Sequence, residues 1–173
     1  METALDILKY CLPAAIVGGV TYMVLRQIAA QRSAEFAAAQ RSEALKTTLP
    51  LRLQAYERLT LLCDRTQLTN VLLRVRMPGM NVRELQAALL IAINHEFDHN
   101  VSQQLYVSDT LWQIISVARR ETLASITLAA QDLEPNEDAE ALVNRLLTQL
   151  DAQPLSALDQ AIMAIRTEAS RLF

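Results

Sequence analysis

Two arrangements of apolar residues divide this chain. The first is an unbroken run, Tyr10–Leu25, that contains no charged side chain and is bounded by Lys9 and Arg26. The second begins after Pro50, where apolar residues recur every three or four positions, the period of a helix with one buried face. Leu51, Ala55, Leu59 and Leu62 form the first such stripe and predict a helix over 51–65, with Thr66 placed to cap a shorter continuation, 67–76. Met77-Pro78-Gly79-Met80 reads as a turn. Asn81 with Glu84 three residues on has capping-box spacing, which predicts a helix over 82–98 with Leu85, Leu89, Ile93 and Phe97 inward. A break near Asn100–Ser108 precedes a cap at Ser108 or Asp109. The helix that follows, to about Ala130, is expected to bury Leu111, Trp112, Ile115 and Ile126. Beyond the acidic loop 132–138 come helices over 137–150 (Leu142, Leu146, Leu150) and 154–172. Leu155, Leu158, Ile162, Ile165, Ala169 and Leu172 give the last helix a seam for its own bundle or for a partner.

The apolar run points to a bilayer. A spanning helix needs about 20 residues, with a lower bound near 17. The sixteen residues here reach that length when Lys9 and Arg26 snorkel to the interfaces. Tyr10 and Tyr22 lie near its ends, where aromatic rings favour the headgroup layer. Glu2 and Asp6 before Lys9 argue against the basic leader of a cleaved signal peptide, and no lipobox precedes Cys11. Downstream lie Arg26, Arg32, Arg41, Lys46 and Arg52, so the positive-inside rule assigns the C-terminal part to the cytoplasm of a bacterial inner-membrane protein. Ala14 and Gly18, with Ala15 and Gly19, form a small-residue face that lets membrane helices pack closely, in a homo-oligomer or against a partner. Residues 27–48 are helix formers with few large apolar side chains. They read as a stalk that Leu49-Pro50 should end, because a residue before proline is pushed out of the helical region. The expected organisation is a transmembrane anchor over 1–26, a helical stalk over 27–49 and a cytoplasmic bundle of about five helices over 50–173. The fold class is all-α.

Composition sharpens this picture in two ways. Only three glycines and 5 % aromatic residues favour helix over sheet. The net charge of −3 conceals an asymmetry: residues 1–100 carry 11 bases and 9 acids, residues 101–173 carry 5 bases and 10 acids. A nucleic-acid partner is therefore not expected, since it needs a concentrated basic face. Cys11 and Cys63 stand far apart and imply no disulfide framework, as suits a reducing compartment.

One sequence carries possible chemistry. His95-Glu96-Phe97-Asp98-His99 matches H-E-x-x-H, which in zinc proteases sets two imidazoles on one helical face beside a glutamate general base. With two histidines in the chain, a third ligand has to be a carboxylate, and Glu121 is the candidate. A membrane-bound zinc hydrolase is thus the alternative function. The favoured expectation is that these are helix-end polar groups bonded to neighbouring helices. Asp132, Glu134, Asn136, Asp138 and Glu140 alternate like a calcium loop, but Glu137 replaces the required glycine and Val143 stands at the position of the bidentate glutamate. No phosphate-cradling glycine loop appears, and no cofactor is expected.

Two polar blocks, Leu49-Pro-Leu-Arg-Leu-Gln-Ala-Tyr-Glu-Arg-Leu59 and Glu96-Phe-Asp-His-Asn-Val-Ser-Gln-Gln-Leu-Tyr-Val-Ser-Asp109, are followed by Trp112. With the N-terminal Leu8-Lys-Tyr and Leu12-Pro13, they resemble an uncharacterised family of small membrane-anchored helical proteins from Bacteroidota. The resemblance extends to about residue 130. It implies an anchor and a helical fold, and no reaction. It also implies that Glu96, Phe97, His99 and Asn100 belong to a shared block while His95 does not, so that H-E-x-x-H overlies that block by accident. Within the blocks Arg52, Tyr56, Glu57, Arg58, Glu96, His99, Asn100, Gln103, Gln104 and Trp112 form the expected interaction or structural cluster. Carboxylates are expected to pair with arginines, and amides to close backbone gaps, as the two blocks face each other. The expected function is a non-enzymatic, membrane-tethered interaction or assembly module. Its partners are the bilayer and a protein that the sequence does not identify.

Overall fold

A computed structural model describes residues 2–152 and 155–172; the side chains of residues 2–16, 33, 34, 37, 38, 41, 42, 44 and 45 lie outside the description. The architecture is all-α. Among the described residues there is no strand, only an isolated antiparallel bridge between Asn81 and Asp138. The chain forms two compact units, Met1–Leu49 and Pro50–Phe173.

From Glu2 on, the first unit is helical, part of α1 (Glu2–Thr66). Apart from half-buried Leu49, its described apolar side chains are exposed, Val17 at 65 % and Met23 at 71 % among them. Among the described residues no helix is long and apolar enough to cross a membrane. The side chains of residues 10–16 of the apolar run, Ala14 and Ala15 included, lie outside those described. Gly18 and Gly19 are exposed and face open space. The expected stop at Leu49-Pro50 is absent, since α1 continues through Pro50. Proline there forfeits one intrahelical bond, to the Lys46 carbonyl, and good helix formers on both sides carry the helix past it.

In the second unit, the end of α1 is followed by α2 (Leu68–Val75), α3 (Val82–Asn100), a 3-10 turn (Val101–Leu105), α4 (Asp109–Ala130), α5 (Ala139–Ala152), α6 (Ala157–Ala169) and a last 3-10 turn (Ser170–Leu172). Local chemistry sets these boundaries. Asn81 Oδ1 accepts from the Glu84 N–H at 2.9 Å and the Glu84 carboxylate accepts from the Asn81 N–H at 3.1 Å, closing the capping box of α3. Ser108 Oγ accepts from the Leu111 N–H at the start of α4. Ser156 and Asp159 make a second box at α6. Thr66 does not cap α2. Its hydroxyl donates back to the Leu62 carbonyl at 2.8 Å, and Gln67 occupies the cap without a side-chain bond.

The acidic loop has a structural job. Its carbonyls accept from the first amides of α3, Val82 to Glu137 at 2.9 Å and Arg83 to Pro135 at 3.1 Å, while Ala139 donates to Met80 at 3.1 Å. Helix-start amides have no partner within their own helix, and this strap supplies one. Gly79 makes the approach possible with φ +82°, where a side chain is strained.

Two apolar clusters hold the unit together. One joins Leu68, Val71 and Leu72 of α2, Leu85, Leu89 and Ile93 of α3, Ile126 of α4, and Leu142 and Leu146 of α5. The other joins Tyr56, Leu59, Leu62 and Cys63 of α1, Phe97, Leu111, Ile115 and Ala118, and Leu158, Ala161 and Ile165 of α6. The α6 seam is therefore spent inside the bundle. Leu51 and Leu155, expected in apolar stripes, are 42 % and 52 % exposed. Trp112, Leu150, Ile162, Ala169 and Leu172 are half-buried.

Candidate functional site

The polar residues of the two sequence blocks fall into two clusters, and a third element completes each. The first centres on Glu168, at the end of α6. Arg52 Nε donates to the Tyr106 carbonyl at 3.1 Å and Arg52 Nη2 donates to the Tyr56 hydroxyl at 2.8 Å. The Tyr56 hydroxyl in turn donates to Glu168 Oε1 at 3.0 Å. Ser108 donates to the same carboxylate through its N–H at 2.9 Å and through its hydroxyl. Arg52 Nη2 stands 3.8 Å from Glu168 Oε1. Arg52 of the first block is thus bonded to the Tyr106 carbonyl of the second, and Glu168 is the common acceptor of Tyr56 from the first block and Ser108 from the second.

Burial raises the Glu168 pKa, but the Ser108 hydroxyl and N–H, the Tyr56 hydroxyl and the Arg52 charge outweigh it and hold the carboxyl below its ordinary value. The Tyr56 phenol moves the other way. Burial and the Glu168 carboxylate raise it against the opposing Arg52 charge. Cys63 beneath this cluster is fully buried, which pushes its thiol up to about 12 and leaves it unreactive.

The second cluster centres on Glu96. Its carboxylate takes Arg65 Nη2 at 2.9 Å and Arg74 Nη1 at 3.0 Å, and its side chain is 17 % exposed. Arg74 also donates to the Arg65 carbonyl at 2.7 Å, closing the end of α1. Asn100 donates to the Glu96 carbonyl at 2.8 Å. The arginines that meet Glu96 come from the last turns of α1 and α2 rather than from Arg52 and Arg58 of the first block. Glu57 and Arg58 are exposed and make no hydrogen bond or ion pair among the described residues. Gln103 is buried and donates to Ser102 at 3.3 Å, while Gln104 is exposed.

Trp112 lies against Phe97, with ring centroids 5.1 Å apart. Arg119, missed in the sequence, sits over the Phe97 ring, its guanidinium carbon 4.3 Å from the centroid, while its Nε and Nη2 donate to Asn94 Oδ1. This is a cation–π contact within the fold.

The zinc-hydrolase constellation is not assembled. His95 and His99 lie side by side on α3, but Glu121 lines a separate cleft of about 180 Å³ with Gln67, Ser125, Gln149 and Asp159. Among the described residues no three His, Cys, Asp or Glu side chains come together to hold a metal ion. Glu96, the expected general base, is spent on two arginines. Asp132 of the acidic loop pairs with Arg145 and Glu140 in the first turn of α5 with Arg76, and Asp138 caps α5 through the Glu140 N–H.

The sequence model of a family of unknown function, DUF7935, matches residues 2–172. The chain belongs to this family. The match spans both units, so the helical first unit is as much a part of the family pattern as the bundle. No curated protein and no solved structure matches the chain. For this family member, as for the sequence, the polar clusters are the best-defined features, and each ties helices together.

Proposed function

We propose that this chain is a non-enzymatic, membrane-tethered interaction or assembly module, a subunit of an inner-membrane complex in bacteria. The observation that carries the reading is the charge-free run Tyr10–Leu25, whose described apolar residues Val17, Val20, Met23, Val24 and Leu25 stand exposed on a helix. Contiguous apolar side chains without cover call for a bilayer or another chain. Lys9 and Arg26 bring the run to spanning length by snorkelling. The small face of Ala14, Ala15, Gly18 and Gly19 allows close packing against a second membrane helix, from another copy or a partner subunit. The bases that follow the run set the C-terminal domain in the cytoplasm. The acidic balance of residues 101–173 argues for a protein partner over nucleic acid. Within the bundle Arg52, Tyr56 and Glu168 spend their polar atoms on one another and on the backbone, and Glu96 spends its carboxylate on Arg65 and Arg74, which supports a scaffold over a catalyst. Leu73, 85 % exposed over an apolar groove of about 420 Å³ between α2 and α5, is a surface on which a partner can bind.

Protease protection tests the arrangement. In inverted inner-membrane vesicles, protease is expected to digest the domain after residue 50, and in right-side-out vesicles to leave it intact. Digestion in right-side-out vesicles alone reverses the orientation, and digestion in both with release of the whole chain removes the tether.

A further inference from the structure

Among the described residues, the two histidines take no part in the polar clusters that tie the helices together. His95 and His99 are four residues apart on α3, both exposed, with ring centroids 4.2 Å from each other. Helical geometry puts side chains at this spacing on one face. The ring of His99 is oriented by its own backbone: Nδ1 lies 3.1 Å from the His95 carbonyl. A carbonyl oxygen only accepts, so Nδ1–H donates, and in the neutral ring Nε2 is the nitrogen left for a ligand. Metal-bound histidines are commonly fixed in the same way, one ring nitrogen donating to a carbonyl while the other coordinates.

We propose that His95 and His99 form a two-point site for a divalent transition ion. Two imidazoles suit zinc, nickel or copper and discriminate against magnesium and calcium, which take oxygen ligands. The helix between the ligands is part of a 19-residue element closed by its capping box, which fixes the spacing of the two backbone positions. Among the described residues no third imidazole, thiolate or carboxylate joins them. The remaining coordination positions are open to water or to donors on a bound partner. This differs from the hydrolase site: Glu96, between the two histidines in sequence, is turned to Arg65 and Arg74 and does not act on the ion.

Isothermal titration of the detergent-solubilised full chain with zinc chloride tests the site, with magnesium chloride as control. The expected result is one zinc per chain and no magnesium uptake. His95→Ala and His99→Ala should each weaken zinc binding by at least about tenfold, the lower end of what even an indirect contact to a metal site is worth. Both histidines are exposed, and circular dichroism checks that the variants keep their helices. A Cys11→Ser variant that binds as the parent does excludes the N-terminal thiol as the ligand. No zinc uptake, uptake unchanged in the double histidine variant, or uptake lost in Cys11→Ser would each overturn the proposal.

Discussion

At the residue scale, Glu168 ties the end of α6 to α1 and to the start of α4. Its carboxylate accepts from Tyr56 on α1 and from Ser108 at the start of α4, and sequence separations of 112 and 60 residues hide both contacts from any local pattern. Because its folded pKa is lowered below the ordinary value of 4.5, its contribution to stability is complete above that value. That contribution is lost as pH falls through the folded pKa. Glu168→Gln should therefore flatten the acid side of the stability profile, read by Trp112 fluorescence in urea from about pH 7 to about pH 3. A profile identical to the parent's would show that the carboxylate does not carry this linkage. Tyr56→Phe removes one acceptor and one donor and is expected to cost about 0.5–1.5 kcal/mol in the same assay. Cys63 gives a third check. In a Cys11→Ser background the remaining thiol should resist iodoacetamide until denaturant is added, since burial holds it near 12.

At the element scale, most of what the helices do was legible in the sequence, and the exceptions have local causes. Asn81 and Glu84 announced the start of α3, and Ser108 that of α4, because capping depends on residues three apart. Leu85, Leu89, Ile93 and Phe97 were legible as its buried face for the same reason of spacing. Thr66 was misread because a hydroxyl late in a helix can bond back to the preceding turn as well as forward. Pro50 was misread because the bias against helix before proline is a preference, and α1 overrides it. The structure implies that Asn81→Ala costs about 1 kcal/mol, measured by urea unfolding, through loss of the α3 cap. It also implies that Pro50→Ala restores the bond to the Lys46 carbonyl, so that amide exchange slows locally in α1.

At the scale of the whole molecule, the two apolar clusters share α3 and α4, and this joins the six helices into one bundle. Their membership follows from periodicity. The polar clusters were legible only in part: the blocks containing Arg52 and Glu96 stood out, but their partners Glu168, Arg65 and Arg74 come from elements that no spacing rule connects to them. Family membership covers residues 2–172 and so joins bundle and N-terminal helix in one pattern. The central claim is that the exposed apolar run of that helix holds the bundle to a bilayer. Alkaline carbonate extraction of membranes from cells expressing the full chain tests it most directly, with a Val17→Asp/Val20→Asp variant alongside. The account predicts that the parent chain stays in the membrane pellet while the variant moves to the supernatant with its helices intact. Complete extraction of the parent chain would contradict it.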